Sequence, residues 1–503
     1  MTELLSKEEY VAIADAIEFP VMPFVDGKYQ KTISNNKMTT TNPATGEVLA
    51  EIYVCNEADV DYAVDVSRKA YENGAWSQKH PSERKAVLLK LAQLIEDNQR
   101  ELAVLESLES GKPISECVLT DLPETVTTIK WHAEAIDKLY DQIAPANADG
   151  IGLIVREPLG VVACVLPWNF PLMMLAWKIA PALAGGNSVI VKPAEQTSMT
   201  ALRVGELAIE AGLPAGVLNI LPGMGPEVGE PLGRHPGIES VSFTGSTEVG
   251  RLFLQYSAQS NLKKVVLECG GKNPAVVLSD ADNLDSVAEH VVFAALWNMG
   301  QNCTANSRLI VHRAVKDELL VKVKAKILDW KTGDPLEPSN QLGSIISLEQ
   351  YHKILGYIES AKQEGAELVC GGNAIKSDGL FIEPTFFVGV TPEMTIAQEE
   401  IFGPVFGMMV VNSDEEAIKL ANDTCYGLQA SLFTSNVTKA HRYGRALQAG
   451  TVSVNCYGEG DISTPFGGFK LSGFGGRDNS LMAHDQYTET KTIWIDISGE
   501  VSG

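Results

Sequence analysis

From about residue 160 the chain alternates short apolar runs with longer amphipathic stretches. The runs VVACVL (161–166), SVIV (188–191), VLNIL (217–221), SVSF (240–243) and KVVLE (264–268) read as buried strands. Helical patterns fill the gaps, near 172–184, 199–211, 225–234 and 247–258. Strands separated by helices of this length predict βαβ units and a parallel sheet, which binds ligands beyond the carboxyl ends of its strands. Lys192, Gly223, Thr244 and Glu268 stand at or just past those ends, so they are expected to share one crevice.

A second α/β region is predicted from about 270 to 470. Its strands are RLIVH (308–312), SLFT (431–434) and TVSVN (451–455), with helices near 284–298, 315–329 and 437–447. Upstream, Val60, Ala63 and Val64 mark one amphipathic helix, and Leu88, Leu91, Ala92 and Ile95 mark another. The first 20 residues read as a loosely attached helix. The stretch 140–158 and the run KTIWIDI (491–497) have strand character outside both regions and are expected to pair with another subunit.

Composition narrows the partners. Among 503 residues, 40 Lys plus Arg face 64 Asp plus Glu, a formal charge of −24, which argues against nucleic acid and anionic membrane. The apolar stretch Gly160 to Val191 is broken by Pro167, Asn169, Pro171, Lys178, Pro181 and Asn187, so it predicts buried core rather than a membrane span. Eight scattered cysteines without a CxxC pair suggest a reduced, cytoplasmic protein, and eight unclustered histidines predict no metal site. The acidic N-terminus MTELLSKEEY has no secretory signal pattern.

Several runs carry candidate chemistry. Cys303 in GQNCTANSR is a candidate nucleophile, and Glu268 in LECGGKNP a candidate general base; taken alone, Cys303 also fits a buried inert thiol. Asn169 in PWNFP could supply an oxyanion-hole amide, or simply a turn. In VIVKPAEQTS, Lys192 and Glu195 suit ribose or phosphate, or a surface pair at a helix start. The runs PGMGPEVG (with Gly225) and FTGSTEVG (with Gly245 and Ser246) join strands to helices, as a pyrophosphate site or an ordinary connection would. QEEIFGPV holds Glu400 and Phe402, fit for a nicotinamide ribose and ring, or for a plain loop.

Together, PWNFP, KPAE, FTGSTEVG, LECGGK, GQNCTANSR, EEIFGPV and PFGGFKLSG occur in the order found in the NAD(P)-dependent aldehyde dehydrogenases, and the chain resembles that family from about residue 24 to 497. The resemblance implies an α/β aldehyde dehydrogenase fold. It implies a Rossmann-like parallel-sheet dinucleotide-binding domain (1–139 and 159–268), an α/β catalytic domain (269–478) and a strand-rich oligomerisation element (140–158 and 479–503). Cys303 would attack the aldehyde, Asn169 and the Cys303 N–H would hold the oxyanion, and hydride would pass to NAD. Glu268 would activate the water that hydrolyses the thioester. Lys192, Glu195, Gly225, Gly245, Ser246, Glu400 and Phe402 would hold NAD, with Trp168 and Phe243 shaping its nicotinamide and adenine ends. NADP stays open, because a Glu195 side chain can swing aside. A homodimer or homotetramer is also implied.

GDISTPFGGFKLSG, RDNSL, TETKTIWI and IKWHAEAIDKLY are similar to the γ-glutamyl-γ-aminobutyraldehyde dehydrogenase group of putrescine breakdown. An ω-amino or γ-glutamylated aldehyde is therefore expected. Phe170, Met174 and Trp177 would wall its tunnel, Asn302 and Thr304 would flank the nucleophile, and Glu459 and Asp461 would receive an amine or amide. A broad-range aliphatic or hydroxy aldehyde dehydrogenase is the alternative within enzymes, and a non-catalytic NAD-binding or structural protein is the alternative outside them. Three departures stand out: the extra glycine in SGFGGRD, Cys269 beside Glu268, and the Asn302 and Thr304 neighbours of Cys303.

Overall fold

The computed structural model describes residues 3–499; the ends of the two terminal segments, 1–2 and 500–503, lie outside the described residues. The predicted strands form where expected. Val161–Val165, Ser188–Lys192, Leu218–Ile220, Ser240–Gly245 and Lys264–Cys269 pair in parallel as the centre of an eight-stranded sheet. The first four of these are almost wholly buried, which explains their unbroken apolar runs. In chain order the strands lie 3-2-1-4-5, so the order reverses beside Val161–Val165. At such a reversal adjacent connections leave on opposite faces, and a crevice opens beyond the carboxyl ends of Val161–Val165 and Ser240–Gly245.

The second sheet has seven strands, ordered Glu367–Cys370, Thr385–Val388, Val405–Val411, Arg308–His312, Pro274–Val277, Gln429–Phe433 and Thr451–Val454. All pair in parallel except the Glu367–Cys370 edge. Its core includes Phe386 stacked on Phe406 at 4.5 Å. Four of these strands escaped the hydrophobic reading. Glu367–Cys370 shows only a partly buried face, and Pro274–Val277 is four residues long and opens on a proline, which weakens its strand signal.

One boundary differs from expectation. Gly473–Phe474, placed by the resemblance with the catalytic residues 269–478, instead pairs antiparallel with Lys264–Cys269 and extends the first sheet. The departure SGFGGRD explains how. Gly475 has φ of +83°, and a Cβ there would lie 2.2 Å from the Val265 carbonyl oxygen, so only glycine lets the chain turn against that strand.

The expected outlying strands pair with each other. Thr488–Asp496 lies antiparallel to Gly150–Pro158, which also pairs with Gln142–Ala144. The N-terminal helix, Lys7–Ala16, is held more firmly than its sequence suggests. Tyr10 is fully buried, and its hydroxyl accepts from Arg100 (3.2 Å).

Asn187 joins the C-terminal arm to the first sheet. Its buried Oδ1 accepts from the Gly160 N–H (3.0 Å), and its Nδ2 donates to the Ala182 and Tyr487 carbonyls (3.0 and 2.9 Å). Asn187→Ala leaves the Gly160 N–H without a partner and takes one of two hydrogen bonds from each carbonyl, which is expected to destabilise the fold by about 1–3 kcal/mol. Urea unfolding checks this, and a loss under about 0.5 kcal/mol, within the range of an ordinary surface change, contradicts it.

Candidate active site

Three segments meet at the crevice. Pro167–Phe170 leaves the Val161–Val165 strand and enters the Pro171–Ala184 helix, whose first residue is a proline suited to that position. Thr244 pairs in register with Glu268, which brings the Gly245–Ser246 turn beside that carboxylate. The third segment comes from the second region. After the Leu284–Leu296 helix, Asn298 and Met299 turn left-handed (φ 52° and 56°) and lead into Cys303.

Two successive non-glycine residues in that conformation cost about 1–3 kcal/mol each and persist only where surroundings enforce them. Here the enforcement is visible. Asn298 Nδ2 donates to the Asn169 carbonyl (2.9 Å) and the Gln301 carbonyl (3.1 Å), and Asn169 Nδ2 also donates to Gln301 O (3.0 Å). Asn273 Nδ2 donates to Cys303 O (2.8 Å). The Cys303 loop and the Asn169 loop are thus one bonded unit. One amide hydrogen of Asn169 is used in it, and the second is available for a ligand oxygen.

A cavity of about 190 Å³ runs through this junction, and Cys303, Glu268 and Asn169 all line it. Phe170, Met173, Met174, Trp177, Leu428 and Phe466 supply apolar walls, with the half-buried thiol packed against them. Burial pushes the Cys303 thiol well above its ordinary range, and Glu459, Glu400 and Glu268 add to the effect. Glu268 is 3% exposed and its carboxylate oxygens lack hydrogen-bond partners. Burial raises its carboxyl well above the usual range, with Asp478 as the next cause, while Lys178 and Arg477 oppose the rise. A desolvated, unbonded carboxylate is a stronger base than one in water.

The expected cofactor residues divide into two groups. Trp168, Gly245, Ser246, Glu400 and Phe402 line the cavity. Trp168 meets Phe402 edge to face at 5.2 Å, and Glu400 accepts from the Gly271 N–H (2.9 Å). Burial raises the Glu400 carboxyl to about 7, against the Gly271 hydrogen bond. Lys192 and Glu195 lie outside the cavity lining, at the end of the neighbouring strand, with Lys192 Nζ 3.4 Å from Glu195 Oε2. Gly225 has no heavy atom within 4 Å of where a Cβ would lie, so a ligand can approach its backbone. Ser246 caps the Thr247–Ala258 helix, whose N-terminal amides suit a phosphate. These residues fit a dinucleotide lying across the strand ends. Phe243 is buried beneath the Gly245 turn against Phe253 (5.1 Å) and does not line the cavity.

The substrate residues also divide. Phe170, Met174, Trp177 and Glu459 line the cavity. Asn302 and Thr304 are buried behind it and hold other residues in place. The Thr304 hydroxyl donates to Glu459 Oε1 (2.5 Å) and accepts from the Tyr457 hydroxyl (2.7 Å), which accepts from Asn302 Nδ2 (2.8 Å). Beyond Glu459 lies an outer vestibule of about 450 Å³, lined by Glu459, Glu124 and Asp461. Asp461 is exposed at its rim rather than within the cavity. Burial raises the Glu459 carboxyl to about 7; Thr304 opposes this and Glu124 adds to it.

Several lining residues escaped sequence reasoning: Gln350 and Lys353 beside Glu400, Glu124 in the vestibule, and Asp478, which pairs with Lys178 behind the cavity. Lys178 Nζ lies 2.7 Å from Asp478 Oδ2, both side chains fully buried, and Asp478 reaches the cavity near Glu268. A signal existed for Lys178, the single charge in the otherwise apolar Pro171–Ala184 helix. None existed for its partner 300 residues away.

The aldehyde dehydrogenase family model matches residues 29–493. An aminoacetaldehyde dehydrogenase of Pseudomonas aeruginosa is 57% identical over 498 residues, covering 99% of this chain and 100% of that protein. Among solved structures, AldA, an indole-3-acetaldehyde dehydrogenase of P. syringae in complex with NAD+ and IAA, superposes with a TM-score of 0.97. It is 46% identical, with 98% and 100% of the two chains covered. A γ-glutamyl-γ-aminobutyraldehyde dehydrogenase from Burkholderia cenocepacia gives a TM-score of 0.96 at 46% identity and the same coverage.

Alkylation by iodoacetamide tests the environment of the thiol. A thiolate reacts and a thiol does not, so the Cys303 rate is expected to climb about tenfold per pH unit above neutrality. It should level off only above the value of about 8.5 for a free thiol. Mass spectrometry of the Cys303 peptide reads the rate, and a plateau below pH 7 contradicts the raised value.

Proposed function

The chain belongs to the aldehyde dehydrogenase family, and within it we propose that this protein oxidises a short ω-aminoaldehyde to the amino acid with NAD. Glu459 carries the reading. Its carboxylate lines both the cavity of Cys303 and the vestibule, and no lysine or arginine lines that vestibule among the described residues. An aldehyde carbon against Cys303 places a trailing ammonium toward Glu459, with Glu124 and Asp461 beyond. The name of the P. aeruginosa relative points the same way.

The residues perform the reaction as follows. Once the Cys303 thiol has released its proton to solvent, the thiolate sulfur bonds to the aldehyde carbon, and the resulting oxyanion receives the free Asn169 amide hydrogen and the Cys303 backbone N–H. NAD, when bound, supplies the hydride acceptor. Collapse of the oxyanion leaves a thioester on Cys303. Glu268 takes a proton from water, the water oxygen adds to the thioester carbon, and Cys303 leaves as thiolate. The apolar walls keep other water away from the reacting carbon.

Glu195 supports a preference for NAD, since its carboxylate repels a 2′-phosphate. NADP remains usable, because the Glu195 side chain is one-third exposed and free to swing aside. We read the first sheet and its helices as the dinucleotide-binding domain, the second sheet as the catalytic domain, and the Thr488–Asp496 sheet as the oligomerisation element. Trp494, Ile493 and Ile143 are exposed on that sheet, which supports pairing into a homodimer or homotetramer. All eight cysteines are free, which supports a cytoplasmic location. Among the described residues no helix is long and apolar enough to cross a membrane.

A γ-glutamylated aminoaldehyde is the second reading, favoured by the room in the vestibule and by the name of the Burkholderia neighbour. NADH formation across a panel of 3-aminopropanal, 4-aminobutanal, its γ-glutamyl derivative and butanal decides. The free aminoaldehydes are expected to show the highest kcat/KM. A higher value for the γ-glutamyl derivative favours the second reading, and an equal value for butanal overturns both.

The pH dependence gives a separate test. With its carboxyl raised to about 7, Glu459 is charged above that pH and neutral below it. KM for an aminoaldehyde should therefore fall as pH rises through about 7, while KM for butanal should not. Glu459→Gln should flatten this profile and raise KM for the aminoaldehyde about tenfold or more, the size of a lost charge-assisted hydrogen bond.

A further inference from the structure

Behind the Asn169 loop lies a second group of buried charges that the reaction does not use directly. Glu106, Lys112 and Asp121 are each at most 1% exposed. Lys112 Nζ is ion-paired with Asp121 and lies 3.9 Å from Glu106 Oε1. Glu106, Cys117 and Asp121 bring their ligand-type atoms within 4.8 Å of one another, as a metal trio would. The Lys112 ammonium supplies the positive charge between its two carboxylates. The five-residue π-helix Cys117–Asp121 turns Asp121 inward, a feature frequent at functional sites.

Burying an ammonium and two carboxyl groups costs more than an apolar core of the same volume, so stability alone does not account for them. Their contacts do. Glu106 Oε2 accepts from the Leu172 N–H (3.1 Å) at the start of the Pro171–Ala184 helix, where Phe170 supplies no side-chain cap. The Lys112 ammonium lies 4.0 Å from the centroid of the Phe170 ring. The same ring meets Trp297 at 5.2 Å, and Trp297 Nε1 donates to Glu116 Oε2 (2.7 Å). Phe170 is therefore clamped by a desolvated cation and by an indole that is itself bonded. Its neighbour in the chain is Asn169.

We propose that Lys112 is a positioning residue for the reaction: its ammonium, held between Asp121 and Glu106, fixes the Phe170 ring and through it aims the Asn169 amide at the oxyanion. Neither Lys112 nor Asp121 lines the cavity, so neither touches the substrate. The device acts on the reacting carbon and leaves the dinucleotide residues at the other strand ends undisturbed.

The double variant Lys112→Met, Asp121→Asn removes the cation and its paired carboxylate together, and burial holds the remaining Glu106 carboxyl well above the usual range, so no unpaired charge is left. Its unfolding midpoint should stay within a few degrees of the parent, and its dissociation constant for NAD, read by fluorescence, within about twofold. Its kcat should fall about tenfold, as loss of a desolvated cation–π contact allows. A structural role would not produce that split. In a Phe170→Leu background the same two changes should cost less than about twofold more, because the ring they act through is gone. An unchanged kcat in the folded double variant, or a full tenfold loss in the Phe170→Leu background, overturns the proposal. If the double variant does not fold, Lys112→Arg carries the test, because it keeps the cation. A kcat within about threefold of the parent then upholds the proposal, and a tenfold fall in a folded enzyme overturns it.

Discussion

The site depends on the hydrogen bonds that Asn298 makes across two parts of the chain. Its amide joins Asn169 O and Gln301 O, and Asn169 answers by donating to the same Gln301 carbonyl. Without these bonds the left-handed pair Asn298 and Met299 has nothing to offset its strain, and Cys303 has no fixed relation to Asn169. A thiol from one sheet and an amide from the other can share an oxyanion only if their loops move together. Preorganised donors stabilise developing charge because they need no rearrangement as it forms. The strain at Asn298 and Met299 is thus a cost of placing a nucleophile on the end of a helix that stops short.

The charges around the thiol pull in two directions. Burial and nearby carboxylates hold Cys303 protonated, which weakens it as a nucleophile at neutral pH. The same burial makes Glu268 basic enough to take a proton. The Lys178–Asp478 pair sits beside Glu268 with opposing effects, so the field at that carboxylate depends on an ion pair whose two halves come from distant segments. A cationic ligand entering past Glu124 and Glu459 changes the balance, because it offsets carboxylates that otherwise disfavour the thiolate. Recognition of an amine and activation of the nucleophile are then electrostatically linked.

Much of this was legible before any coordinates. The alternation after residue 160 located the five central strands, and of the residues expected at their ends Thr244 and Glu268 line the cavity, while Lys192 and Gly223 do not. The order of motifs brought Cys303, Glu268 and Asn169 to one cavity. Other features were illegible for physical reasons. Asn302 and Thr304 adjoin the nucleophile in the chain, yet their side chains turn away and bond Tyr457 and Glu459. Sequence adjacency in a tight turn does not fix which way a side chain points. Asp461 sits two residues from Glu459 but faces solvent, because Gly460 between them turns the chain with a φ of +97°. Phe243 alternates inward on its strand and joins the core. The Lys178–Asp478 pair spans 300 residues, a separation that local patterns cannot carry.

The buried charges fall on two sides of one helix, and this arrangement constrains the site more than either group alone. Pro171–Ala184 begins at the Asn169 loop, where Glu106 accepts from the Leu172 N–H, and carries Lys178 about 1.7 turns further on toward Asp478 and Glu268. A carboxylate at a helix N-terminus opposes the partial positive charge there, and an ion pair farther along fixes the helix in rotation. Translation and rotation of the helix are both restrained by contacts that tolerate little misplacement, since one shift breaks a buried hydrogen bond and the other a desolvated ion pair. Apolar packing alone would permit small slides at low cost. The proposed oxyanion donor and general base, served by the same helix, need a stricter restraint, and buried charge supplies it.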